Sequence, residues 1–342
     1  MASHSQTKLS FVTLDVFTSA RYLGNPLAVV FVPSSLRSAI TQKTKQRIAR
    51  EFNLSETVFL HTPDEKDDDD RLDTHQRQID IFTPDQELPF AGHPTIGSAY
   101  LVLHHLGLRQ VDSLLTRAGA INIRTLAGGR VKAQIPHAVH IHSQTLEEII
   151  YRLSRTGDDK ERDALLAKLS DNPETREAEL SAPVVSIVKG MTFVLVRLPT
   201  LAHLAEVSTT SKTLDFTSIP DFLDKGEWEN SFISRYYYVV KDERVVDRAK
   251  EWDIQTRMIE TTFEDPATGS AACTLASYLA LGSAYGRDGT WARFNITQGV
   301  EMGRKSDILV EATAEGTGEE AKIKDLFLGG TAVVVMEGSV LV

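Results

Sequence analysis

Two six-residue blocks carry the clearest chemical signal in the chain. Pro94-Thr95-Ile96-Gly97-Ser98-Ala99 and Pro266-Ala267-Thr268-Gly269-Ser270-Ala271 agree at four of six positions and lie 172 residues apart. Each opens an apolar stretch that reads as a helix and runs to a glycine, Gly107 or Gly282, and each follows a polar residue suited to chemistry, His93 or Asp265. The first turn of a helix has backbone N–H groups without intrahelical acceptors and about half a positive charge from the aligned peptide dipoles. Small side chains leave those donors accessible, so such an end can hold a carboxylate or an oxyanion. Two ends facing each other across a cleft would trap a small anion. The same residues equally suit close helix packing through Gly97 and Gly269 with no ligand, and Asp265 suits a plain N-cap.

Other candidate groups point less clearly to chemistry. His104-His105 occupy adjacent helical positions that face different ways, and His137, His140 and His142 alternate without a carboxylate partner, so neither set reads as a metal site. Asp67-Asp68-Asp69-Asp70 lacks the shaping glycine of a cation loop and reads as part of a solvated surface insertion over 62–77. The single cysteine, Cys273, excludes an intrachain disulfide and a Cys-rich zinc site and reads as a buried core thiol. Neither glycine-rich nucleotide signature occurs, and Gly128-Gly129 reads as a hairpin turn before Arg130-Val131-Lys132. No cofactor and no metal are expected.

The elements that would position these groups are mostly short strands. Leu9–Phe17 alternates apolar and polar residues, Gly24-Asn25-Pro26 breaks the run, and Leu27–Val32 reads as a buried strand. A helix is expected over about Ser38–Phe52, then a strand from Glu56, another at Gln78–Phe82, and a helix from Pro94 to about Leu106. Short strands continue to Ile135, a charged helical stretch covers Thr145–Leu180, and strands resume at Pro183. Many strands with one small-residue helix per half predict an α+β fold. At 342 residues, length and repeat together predict two related domains. Their expected bounds are 1–140, completed by the closing strand 331–342, and 181–330, joined by a helical insertion or linker at 141–180.

Composition sets the outer limits. The chain is 42% apolar and 25% charged, as globular proteins are, and its net charge of −10 without a dense basic block disfavours nucleic acid. No apolar run approaches the length of a membrane span, and the start lacks a secretory pattern, so a cytoplasmic protein is expected.

Asp15-Val16-Phe17-Thr18 with Gly24-Asn25-Pro26, Asn53-Leu54-Ser55-Glu56-Thr57, Phe90–Thr95, Asp265–Ser270, and Gln298-Gly299 with Glu301–Arg304 form five stretches in order. Together they resemble the phenazine-biosynthesis PhzF-like family. The resemblance implies the diaminopimelate-epimerase-like fold: two similar domains, each a curved, mainly antiparallel, barrel-like sheet around a central helix. It implies a cofactor-independent isomerase that moves a proton between carbons of a small, unsaturated, carboxylate-bearing substrate. Glu56 would be the acid/base, His93 and Asp265 would orient the substrate, and Gly92, Gly269 and Ser270 would bind its carboxylate. Taken alone, Glu56 reads as an exposed loop carboxylate and His93 as a structural hydrogen-bonding residue. A lyase or cyclisation catalyst using the same acid/base, or a binding or scaffold protein of the same fold, are the alternatives. Epimerases of this fold use two cysteines, which Cys273 alone cannot supply. The family often forms homodimers, so a homodimer is expected, although no interface shows in the sequence.

Overall fold

Val, Leu, Ile and Phe recur with strand periodicity in both halves of the chain, and in each half the strands enclose one helix built from small residues. The computed structural model describes residues 7–64, 75–208, 214–247, 249–259, 263–283 and 291–342. The acidic run Asp67–Asp70 lies outside the described residues. The chain divides into two units, Met1–Ile135 with Leu328–Val342, and Pro136–Phe327.

The first unit comprises β1 (Lys8–Val16), β2 (Asn25–Pro33), α1 (Gln42–Phe52), β3 (Thr57–Thr62), β4 (Gln76–Phe82), β5 (Glu87–Leu88), α2 (Gly92–Tyr100), β6 (Ser113–Thr116), β7 (Gly119–Leu126) and β8 (Arg130–Gln134). β1 is antiparallel to β2 and to the closing strand Ala332–Leu341, and β2 runs parallel to β3. β4 pairs antiparallel with β3 and β5 and parallel with β6, and β7 lies antiparallel to β6. The turn between β1 and β2 requires Gly24: its φ is +67°, and a Cβ there would strike the Val16 carbonyl.

Helix α2 is the core of this unit, with Gly92 through Ala99 buried. It packs against β1, β2, β3 and β8, as a helix apolar on every face must. A Cβ on Gly97 would sit 2.5 Å from Leu27 Cδ2 and 2.9 Å from Val16 Cγ2, so this glycine serves close packing. The helix begins at Gly92, not Pro94, because proline within the first turn forfeits only an N–H that has no intrahelical acceptor. It tightens no further at Tyr100 but widens into a π turn over Leu101–His105.

Helix α1 lies against the other face of the sheet, with Ile48 and Ala49 packed among Ile40, Phe59 and Phe82. It starts at Gln42, later than Ser38, because the Thr41 side chain caps it by accepting from the Thr44 N–H. A buried polar contact anchors it: Lys45 Nζ and His61 Nε2 both meet Asp80 Oδ2, the latter at 2.9 Å. Burial alone would raise the Asp80 carboxyl, but hydrogen bonds from His61 and Lys45 outweigh it and hold the group down at about 2.

The second unit comprises β9 (His140–Ile141), α3 (Leu146–Thr156), α4 (Asp159–Leu166), α5 (Pro173–Ser181), β10 (Val184–Val188), β11 (Met191–Arg197), α6 (Leu201–Glu206), β12 (Phe232–Val246), β13 (Ala249–Ile259), β14 (Glu264–Asp265), α7 (Gly269–Leu281), β15 (Ala292–Gln298) and β16 (Ser306–Glu315). β11 lies antiparallel to β10 and parallel to β12, and β13 pairs antiparallel with β12 and β14 and parallel with β15. β16 is antiparallel to β15. From β10 to β16 this repeats, strand for strand and sense for sense, the order from β1 to β7 of the first unit. Helices α3–α5 form a layer whose Leu146, Ile149, Leu153 and Leu165 join Val184, Val194 and Tyr237 in one apolar cluster.

Helix α7 occupies the place of α2, packing against β10, β11, β15 and β16. It begins at Gly269 after Thr268, so Pro266 precedes the helix instead of opening it. Cys273 lies fully buried within it, and burial pushes its thiol well above the ordinary range. Among the described residues no helix is long and apolar enough to cross a membrane.

Candidate active site

In the first unit, the chain leaves α1 through Asn53, whose left-handed φ of 51° ends the helix and turns it towards β3. Glu56 is the last residue before that strand. Its side chain is 17% exposed, yet Oε2 is buried and accepts no hydrogen bond among the described residues. His93 Nδ1 stands 3.5 Å from that oxygen. His93 is itself buried at 5% exposure and is the second residue of α2, directly after Gly92, so it lies inside the helix and not ahead of it. Loss of hydration raises the Glu56 carboxyl to about 7, and a hydrogen bond from Ser55 lowers it without cancelling that effect. A carboxyl placed there is populated in both protonation states at neutral pH, as a group that both accepts and donates a proton requires.

In the second unit, Asp265 ends β14, three residues ahead of the helix N-cap. Thr268, not Asp265, is that cap. The Thr268 hydroxyl donates to Asp265 Oδ2 at 2.5 Å. Fully buried Gln298, at the end of β15, holds this loop from below: Nε2 donates to the Asp265 carbonyl at 2.8 Å and to Thr268 Oγ1 at 3.0 Å. Its Oε1 accepts from the Thr268 N–H at 3.2 Å and from the Tyr236 hydroxyl at 3.0 Å. The next residue, Gly299, has a φ of +74°, and a Cβ there would lie 2.7 Å from the Pro266 carbonyl and 2.6 Å from that of Arg304. Arg257 forks onto Glu264 at 2.8 and 2.7 Å and fixes the other side of β14. Gly269 and Ser270 form the first helical positions of α7, where N–H groups lack intrahelical acceptors.

Within the first unit the structure brings Glu56, His93 and Gly92 together, and within the second Asp265, Gly269 and Ser270. Sequence reasoning singled out Gln298 and Gly299 only as a motif; their work of holding Asp265 depends on contacts across about 30 residues of chain and left no periodic signal. It also missed Asp224. His140 and His142 do have a carboxylate partner, supplied from 84 residues downstream, with His140 Nε2 and Asp224 Oδ2 at 2.7 Å.

Comparison with known proteins gives the family. The model of the phenazine biosynthesis-like protein family matches residues 14–338. An uncharacterised isomerase of Mesorhizobium japonicum is 30% identical over 97% of this chain and 99% of its own length. Trans-2,3-dihydro-3-hydroxyanthranilate isomerase of Pseudomonas chlororaphis is 31% identical, again over 97% of this chain and 99% of its own. A PhzF-family protein of Bacillus anthracis shares the fold with a TM-score of 0.66 at 23% identity, covering 98% of this chain and all of that one. A probable proline racemase of Agrobacterium radiobacter shares it at 0.55 and 14% identity, over 98% of this chain and 92% of that one. Matched along almost its whole length by this family and by isomerases within it, the chain belongs to the phenazine biosynthesis-like protein family.

Proposed function

We propose that this protein is an isomerase in which Glu56 removes a proton from one carbon of a small unsaturated carboxylate and returns it to another. The observation that carries this reading is the Glu56 carboxyl itself, half-buried, raised to about 7, with one buried oxygen 3.5 Å from His93. A proton moved between carbons needs one group able to hold it and give it back near operating pH. In this reading His93 holds a polar group of the substrate and the backbone N–H of Gly92 its carboxylate, offsetting locally the net charge of −10. Asp265, with the backbone N–H groups of Gly269 and Ser270, is the second unit's candidate for the same tasks. Such chemistry requires only side chains and backbone donors.

The first compound to assay is trans-2,3-dihydro-3-hydroxyanthranilate, the substrate that names the Pseudomonas relatives, beside a panel of unsaturated amino and hydroxy acids in deuterium oxide. Wild-type protein should incorporate deuterium at carbon or convert one member of the panel. Glu56→Gln should bind the same compound and lose conversion by at least about 10²–10⁴-fold, the usual worth of a general acid/base. Full activity in Glu56→Gln would end the proposal.

A further inference from the structure

We propose that His140, His142 and Asp224 form a binding site for a zinc-class divalent transition metal, apart from the groups assigned to isomerisation. One donor atom from each of the three side chains lies within 4.8 Å of the others, and Asp224 Oδ2 stands closest to His140 Nε2 and His142 Nδ1. Two imidazoles and a carboxylate with a fourth position left for water make a donor set typical of zinc. What distinguishes this trio from a chance cluster is that each side chain is held by a further contact, a hydrogen bond for His142 and Asp224, as is usual for metal ligands, and ring stacking for His140. His142 is buried, and its Nε2 is tied at 2.8 Å to Ser186 Oγ, which continues to Thr192 and Ser231, so Nδ1 is the atom turned towards Asp224. Ser143 holds the carboxylate: its hydroxyl donates to Asp224 Oδ1 at 2.6 Å and its N–H reaches Oδ1 at 3.2 Å and Oδ2 at 3.3 Å, while Oδ2 also faces both imidazoles. The His140 ring is stacked on Trp228, centroids 4.6 Å apart and planes 7° from parallel.

The distances bracket those of a coordinated ion. Bonds of about 2.0–2.1 Å around a tetrahedral centre set neighbouring donors about 3.3 Å apart. Here His140 Nε2 and Asp224 Oδ2 are 2.7 Å apart and His142 Nδ1 and Asp224 Oδ2 are 3.9 Å apart. One pair opens and the other closes by about half an ångström on binding. The ion takes the place of the hydrogen shared between His140 and Asp224: it moves to the other ring nitrogen of a neutral His140, or leaves as a solvated proton from a charged one. His142 Nδ1 binds the metal with the lone pair that now accepts the Asp224 N–H at 3.0 Å, so that hydrogen bond is given up and the metal–nitrogen bond must outweigh its loss. The result would be a staple joining β9 to the long connection between α6 and β12.

The test uses the full chain, stripped with a chelator and titrated with Co²⁺ followed by visible absorption, and with Zn²⁺ by equilibrium dialysis. One equivalent should bind, with ligand-field bands of a low-symmetry four-coordinate site and a raised Tm. His140→Ala, a partly exposed position, should keep the fold and lose more than about a hundredfold in affinity. Ser186→Ala should lose about 10–100-fold, the usual effect of removing an outer partner. Absence of stoichiometric binding, or equal binding by His140→Ala, would overturn the proposal; so would an unchanged affinity in Ser186→Ala with the fold intact.

Discussion

Holding the Glu56 carboxyl at about 7 affects activity and stability in opposite senses. If the ionised form takes the proton, kcat/KM should rise with pH through a midpoint near 7, and that limb should vanish in Glu56→Gln. Stability follows the reverse course. Below the ordinary carboxylate value of 4.5 the group is protonated in folded and unfolded chains alike, and it contributes nothing. Above it the unfolded chain ionises first, so the folded state loses stability until pH passes 7. Glu56→Gln should therefore be more stable than wild type at pH 8, by at most about 3 kcal/mol, and no more stable at pH 4, as denaturant titrations at the two pH values would show. The identity of this residue was legible in sequence only through the family resemblance. Leu54 and Val58 gave no sign of burial at Glu56, because the desolvating surface arrives from α2, more than thirty residues away. His93 was legible as a partner for the same reason, while its place inside the helix was hidden by Pro94, which looked like a first helical residue.

At the scale of elements, the small-residue helices were plain in the sequence and their exact starts were not. The repeated block aligns Pro94 with Pro266, yet the first lies within α2 and the second ahead of α7. What shifts the second helix is the Gln298 amide, which occupies the Thr268 N–H and the Asp265 carbonyl from a strand far along the chain. Gly299→Ala meets both a positive φ and two carbonyl oxygens, so it should cost about 1–3 kcal/mol and loosen the Asp265 loop. Thermal melts would measure the first effect and substrate KM the second. The α1 anchor was invisible beforehand, since Lys45, His61 and Asp80 come from three elements. Asp80→Ala leaves Lys45 buried without its counter-charge and should cost about 3–5 kcal/mol near neutral pH. Because the folded Asp80 titrates at about 2, below its usual 3.8, its contribution is complete above 3.8 and fades as pH falls through 2. The gap between wild type and Asp80→Ala should narrow by about 2 kcal/mol over that window in acid-unfolding experiments.

Across the whole molecule the two halves match in strand order and direction but not in chemistry. The residue before the strand that pairs in parallel with its neighbour is Glu56 in one half and Ser231 in the other. The α+β class followed from the many strands and the paired helices, whereas this asymmetry could be seen only once the strands had been matched. Racemases that invert a carbon place one base on each side of it; if Glu56 is the single shuttling carboxylate, as proposed, it reaches the substrate from one side alone. The migration should then be suprafacial, the hydrogen leaving and re-entering on the same face of the carbon skeleton. Deuterium delivered from solvent should accordingly enter on the face from which the substrate hydrogen left, which proton NMR of product from a stereospecifically labelled substrate would resolve, and entry on the opposite face would point to a second donor.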